Sequence, residues 1–145
     1  MFQRILIVCT GNICRSPVAQ AMLQQRLPNL TVKSAGLGAL VGQPVDERAR
    51  RLAEADGLDV ASHQARQLDA DQLAEADLVL VMTSGQRQAL AKRWPEALGK
   101  TLLLGKWLNQ AHEIEIPDPY RKSAEVFEHV HRQLQEATRL WADRL

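Results

Sequence analysis

Short strand-like runs alternate along the chain with stretches whose apolar residues recur at steps of three and four. Ile5-Leu6-Ile7-Val8 and Leu78-Val79-Leu80-Val81-Met82 are unbroken apolar runs, the pattern of strands buried on both faces. The pattern predicts strands over Arg4–Val8, Thr31–Ser34, Leu78–Met82 and Thr101–Leu104. Helices are predicted over Pro17–Leu27, Asp46–Asp56, Ser84–Arg93 and Ser123–Arg144. In the last of these, Phe127, Val130, Leu134, Ala137 and Trp141 mark one face for packing on the sheet. Alternation of this kind implies an α/β fold, with a twisted parallel sheet of four strands flanked by helices in a single three-layer domain over residues 1–145. Trp94 and Trp107 read as packing or edge residues, and a histidine or arginine on the other face of the last helix as solvated.

Composition narrows the class. A chain of 145 residues with 46% hydrophobic and 24% charged residues is long enough to bury one substantial core. A net charge of +1 with scattered Lys and Arg gives no nucleic-acid footprint. The apolar runs are too short to span a bilayer, and the N-terminus lacks the pattern of a signal peptide, so no membrane insertion is expected. Both cysteines, Cys9 and Cys14, lie in one short segment, which argues for a reducing, cytoplasmic setting. The four histidines have no metal-ligand spacing with them, so neither a metal nor a cofactor is expected.

That segment, Cys9-Thr10-Gly11-Asn12-Ile13-Cys14-Arg15-Ser16, directly follows the first strand. Gly11 and Asn12 let the backbone curl through positive φ, and Ser16-Pro17 reads as an N-cap and first helical residue. Amides of such a loop converge on one point at a helix N-terminus, forming a phosphate-binding loop. Arg15 adds a fork matched to two phosphate oxygens, and the same field favours an anionic sulfur on Cys9. Cys14 reads either as a small packing residue or as a thiol able to pair with Cys9 on oxidation.

A thiolate that attacks phosphorus needs an acid to protonate the leaving oxygen. Asp118, held between Pro117 and Pro119, is the candidate, and Tyr120 offers a flat face to an aromatic leaving group.

Val8 to Pro17, with the late Asp118-Pro119-Tyr120, resembles the low-molecular-weight protein tyrosine phosphatases over essentially the whole chain. Ser34 to Leu40 and Ile116 to Ser123 are similar to the bacterial branch associated with capsule and exopolysaccharide export. The resemblance implies a phosphotyrosine protein as substrate, and as partner a membrane tyrosine autokinase of polysaccharide export. It assigns Cys9 as nucleophile, passing through phosphocysteine. Arg15 and the amides of Thr10, Gly11, Asn12, Ile13 and Cys14 would bind phosphate, and Ser16 would donate to the Cys9 sulfur. Asp118 would act as acid and then as base. Asn12 would be left-handed and tied to Ser16, Ser34 and His63. Leu40 and Tyr120 would wall the cleft, Leu40 where many relatives carry an aromatic. Arg121 stands where others have a second tyrosine, and Thr83 where some have aspartate.

Three other readings stay open. Arsenate reduction on this fold uses further cysteines, which the chain lacks beyond Cys14. Protein-arginine phosphatases resemble this chain but carry threonine at the position of Ile13. A silent phosphotyrosine-binding module is the third, against which stand the nucleophile, arginine and acid together.

Overall fold

The computed structural model describes residues 2–145. Its sheet has the strand order β2-β1-β3-β4, with β1 Arg4–Cys9, β2 Thr31–Gly36, β3 Leu78–Val81 and β4 Thr101–Leu103. All three pairings are parallel, with Ile5 opposite both Val32 and Leu78. Five α-helices connect and cover the strands: α1 Arg15–Arg26, α2 Glu47–Ala55, α3 Ala70–Glu75, α4 Ser84–Arg93 and α5 Ala124–Ala142.

The pleat explains why the apolar runs are unbroken. Ile5, Ile7, Leu78 and Leu80 pack with residues of α1, α2 and α5 on one face. Leu6, Val8, Val79 and Val81 pack on the other face with Leu73 of α3 and Leu90 of α4. The sheet therefore has a hydrophobic core on each side, and three layers result. The expected face of α5 is buried throughout, with Phe127, Val130, Leu134, Ala137 and Trp141 all at 4% exposure or less. Trp141 also donates from Nε1 to the Leu104 carbonyl, and its ring meets Trp107 edge-on at 5.7 Å. Trp94 caps the end of α4 beneath Arg93, so both outlying tryptophans pack.

The chain departs from the expected elements where local chemistry competes with periodicity. β1 and β2 each run to the loop, through Cys9 and Gly36, which pair with one another. Residues Ala70–Glu75 form α3, started by an Asp69–Gln72 capping box. Two 3₁₀ turns, Pro95–Lys100 and Leu104–Trp107, flank β4 and shorten it to three residues. Among the described residues no helix is long and apolar enough to cross a membrane.

This topology fixes where a ligand can sit. β1 sends its first connection to β2 on one side, while β3 lies on the other. The carboxyl ends of β1 and β3 therefore border the crevice where an open parallel sheet reverses direction.

Candidate active site

The backbone after Cys9 is curled by hydrogen bonds made from outside. The carbonyls of Cys9, Thr10 and Gly11 accept from the amides of Leu37, Gly38 and Leu40, at 3.0 to 3.1 Å. The Asn12 carbonyl accepts from His63 Nε2 at 2.7 Å, and that of Ile13 from the Asp46 amide at 2.8 Å. Five consecutive carbonyls are thereby turned outward. In trans peptides the N–H lies opposite the C=O, so the donors of this stretch face the inside of the curl.

One residue supplies the reversal. Asn12 is left-handed, at φ 59°, and fully buried. Its Nδ2 donates to Ser16 Oγ at 2.7 Å and Ser34 Oγ at 3.0 Å, while Oδ1 accepts from the Arg66 amide at 2.9 Å. Gly11, expected to share the positive φ, does not: a single left-handed residue is enough to close the curl. A Cβ at Gly11 would make ordinary contacts with Ile13 and Leu40.

The helix start also differs from expectation. α1 begins at Arg15 with Cys14 as N-cap, and no side chain caps it. Ser16 is a helical residue whose hydroxyl is drawn to Asn12 and to Cys9 Sγ, the latter at 2.9 Å. The first turn keeps its amides uncapped beneath the loop, where an anion can take them.

Cys9, Thr10, Gly11, Ile13, Cys14, Arg15, Leu40, Asp118 and Tyr120 line one cleft of about 180 Å³, joined by Gly38. Asn12, Ser16, Ser34 and His63 lie behind it as supports. Arg15 is 3% exposed, donates from Nη1 to the Ile116 carbonyl at 2.9 Å, and sets Nη2 3.8 Å from Asp118 Oδ2. Its Nε is buried without a partner, a donor left for whatever enters the cleft. Asp118 Oδ1 is held by the Tyr120 amide at 3.0 Å, so Oδ2 faces Arg15. The loop carrying Asp118 is fixed at both ends. Ile116 N donates to the Met82 carbonyl at the end of β3, and Arg48 Nη1 donates to the Lys122 carbonyl.

Electrostatics separate the other titratable groups. Burial, reinforced by the charges of Asp46, Asp118 and Cys9 and opposed by Arg15, pushes the Cys14 thiol far up. At ordinary pH Cys14 therefore keeps its proton. Burial holds the His63 imidazole below its usual value, with the Arg66 charge acting the same way and the Asn12 carbonyl opposing. A neutral ring bonded to a carbonyl carries its proton on Nε2. Among the described residues, no three His, Cys, Asp or Glu side chains come together as a group able to hold a metal ion.

Sequence reasoning missed several supports. Arg66 supplies its amide to Asn12 and its guanidinium to the Ser34 carbonyl, and Gln20 accepts from Ser34 Oγ. Gln86 bridges Thr10 Oγ1 and the Met82 amide, and Thr83 caps α4 through the Gln86 amide. The partners of Arg66 and Gln20, and the Thr10 partner of Gln86, lie far along the chain, where no local pattern marks them. Thr83, three residues before Gln86, instead carries a readable N-cap pattern that was overlooked.

Comparison with known proteins agrees with this geometry. Residues 4–145 match the family described as low molecular weight phosphotyrosine protein phosphatase. The low molecular weight protein-tyrosine-phosphatase Wzb of Salmonella typhimurium is 48% identical over 145 residues, covering 100% of this chain and 95% of that one. Vibrio vulnificus Wzb in complex with benzylphosphonate is 44% identical with a TM-score of 0.95, covering 100% of both chains. The YwlE arginine phosphatase from Geobacillus stearothermophilus is 35% identical with a TM-score of 0.90, covering 99% of this chain and 92% of its own. With a cysteine at the floor of an amide-lined curl, an arginine beside it and a match across nearly its whole length, this chain belongs to the low molecular weight phosphotyrosine protein phosphatase family.

Proposed function

We propose that the chain hydrolyses phosphotyrosine in proteins through a phosphocysteine intermediate. The observation that carries this reading is the convergence, in one cleft, of Cys9, the unpartnered Nε of Arg15 and Asp118. The loop donors and Arg15 hold the three non-bridging oxygens, and Cys9 Sγ attacks phosphorus opposite the tyrosine oxygen. As the S–P bond forms and the P–O bond breaks, Asp118 gives its proton to the departing phenolate. Asp118 then takes a proton from water, whose oxygen attacks phosphorus and displaces the sulfur. Ser16 Oγ, 2.9 Å from Sγ, stabilises the sulfur as it leaves. Charge on the transferring group grows where loop donors and guanidinium already point, so little reorganisation accompanies reaction.

Leu40 and Tyr120 support an aromatic leaving group, since a phenyl ring can lie between an aliphatic and an aromatic wall. Benzylphosphonate, held by the Vibrio vulnificus relative, joins the same two parts, a ring and a tetrahedral anion. The similarity to an arginine phosphatase raises the competing substrate. Ile13 stands in the cleft where the arginine-specific pattern has threonine, and its bulk supports phosphotyrosine. The resemblance to the capsule and exopolysaccharide branch extends the proposal to a membrane tyrosine autokinase as substrate and to action in the cytoplasm.

Hydrolysis of p-nitrophenyl phosphate, a phosphotyrosine peptide and a phosphoarginine peptide by freshly reduced protein, with and without EDTA, tests the reading. EDTA-resistant turnover of the first two, abolished in Cys9→Ser, is expected. Faster turnover of phosphoarginine would overturn the substrate, and tight phosphopeptide binding without turnover would overturn the chemistry.

A further inference from the structure

The loop that carries Asp118 turns, just beyond it, through a residue the mechanism does not use. The Lys122 amide donates to the Pro119 carbonyl at 2.8 Å, closing a four-residue turn whose third residue is Arg121. Arg121 has φ 62°, where a turn calls for glycine or asparagine because a Cβ crowds the backbone. Among the described residues, Asn12 and Arg121 are the non-glycine residues with positive φ. Asn12 is held there by four hydrogen bonds, to Ser16, Ser34, His63 and Arg66. Arg121 has no comparable anchorage. Its exposed side chain lays the guanidinium 5.2 Å from the centroid of the Tyr120 ring, and among the described residues it forms no ion pair.

A strained position that keeps a long cationic side chain points to a use for that side chain. Tyr120 is a wall of the cleft, whereas Arg121 lies outside the lining, against the same ring. Its charge is therefore presented beyond the pocket that takes the scissile phosphate. Neighbouring bonds stiffen the platform, since Arg48 grips the Lys122 carbonyl at 2.8 Å. A guanidinium resting on a ring keeps N–H donors at its edge, in a fork that suits carboxylate and phosphate alike.

We propose that Arg121 is a specificity-determining residue that selects phosphotyrosine peptides bearing a second anionic group beside the phosphotyrosine. It rests on the phosphotyrosine reading above and names the substrate class within it. The second anion is an acidic side chain or another phosphotyrosine, both recognised by the same fork.

The test compares kcat/KM for phosphotyrosine peptides that differ at one flanking position, carrying Gln, Glu, phosphotyrosine or Lys. The readout is the ratio to the Gln peptide, which cancels changes common to all substrates. Wild type should favour Glu by about threefold to fivefold at low ionic strength, the scale of an exposed ion pair, and should lose the preference as salt rises. The doubly phosphorylated peptide should be favoured more, and the Lys peptide disfavoured. Arg121→Asn, which suits a left-handed turn, should bring the Glu ratio to about one, and Arg121→Lys, which keeps the charge but not the fork, should retain only part of it. An unchanged ratio in Arg121→Asn, or a wild-type ratio of one regardless of salt, would overturn the assignment. Failure of the wild type to cleave any phosphotyrosine peptide would instead overturn the reading on which it rests.

Discussion

The proton on Ser16 has a direction imposed by its neighbour. Asn12 Nδ2 is a donor at 2.7 Å from Ser16 Oγ, so that oxygen accepts there and its own hydrogen is free for Cys9 Sγ at 2.9 Å. Asn12 in turn is oriented by the Arg66 amide on Oδ1, which fixes which end of the amide faces Ser16. Asn12→Asp keeps the shape and the bond from Arg66 but replaces the donor by an acceptor. The Ser16 proton would then turn to the new carboxylate, and the departing sulfur would lose its donor beside an added negative charge. The kcat for p-nitrophenyl phosphate should fall at least about tenfold, towards the hundredfold or more typical of a lost transition-state donor. Ser16→Ala, which removes the donor without burying a charge, should fall in the same range. Wild-type kcat in Ser16→Ala, with folding verified by circular dichroism, would sink the argument.

At the scale of elements, the end of β2 serves as the mould for the loop. Gly36 pairs with Cys9 across the sheet, and a Cβ placed on it would lie 2.5 Å from the Thr10 carbonyl oxygen and 3.1 Å from Asn12 N and Cβ. The Thr10 oxygen and the Asn12 nitrogen are loop backbone atoms whose positions the outward carbonyl bonds fix, and the Asn12 side chain is itself held by its hydrogen bonds, so they cannot move aside cheaply. Gly36→Ala should therefore lower stability by about 1–3 kcal/mol, the cost of overpacking, and reduce activity along with it. Gly38→Ala, two residues on, meets nothing within 4 Å and has no positive φ, so its thermal midpoint should match wild type. Equal midpoints for the two variants would show that the loop is not moulded on β2. Sequence patterning carried much of this level. The four strands, the four longer helices and the fold class were legible. The central strands β1 and β3, buried on both sheet faces, leave unbroken apolar runs, and one-sided helices leave steps of three and four. The edge strand β2 is a short segment that keeps Thr31 and Lys33 exposed. α3 was not, since six residues held by a capping box give too short a period to detect. The displaced start of α1 was hidden for another reason: Ser16 looks like a cap, but the loop's own chemistry takes its hydroxyl. Cys9 to Arg15 and Asp118 were legible as a cysteine-to-arginine motif following a strand and as a proline-flanked aspartate, whereas Leu40 entered only through the family resemblance and Gly38 not at all. Gln20, Arg66 and Gln86 were not legible, because contacts across 14, 54 and 76 residues leave no local trace.

At the scale of the molecule, the site is a meeting of two loops that the sheet brings to one end. Arg15 stands just after β1 and Asp118 well beyond β4, yet Arg15 bonds the Ile116 carbonyl and lies 3.8 Å from Asp118. Ile116 is fully buried and hydrogen-bonded to Met82 at the end of β3, so the acid is referenced to the sheet rather than carried on a free loop. The carboxyl lines the cleft with Oδ1 held by the Tyr120 amide and Oδ2 turned to Arg15, on the same side of the site as the loop donors. Asp118→Asn keeps the acceptor for Tyr120 and removes the transferable proton. Its effect should scale with how badly the leaving group needs that proton. For phenyl phosphate or phosphotyrosine, kcat/KM should fall by about 10²–10⁴, the usual range for a lost general acid, and for p-nitrophenyl phosphate by much less. The measurement is the slope of log kcat/KM against leaving-group acidity across a series of aryl phosphates, since kcat/KM reports the step in which the leaving group departs, the one that forms phosphocysteine in the mechanism proposed above. A steeper slope in Asp118→Asn places the proton transfer on Asp118. Parallel slopes would mean that the aspartate only shapes the cleft and that the proton comes from elsewhere.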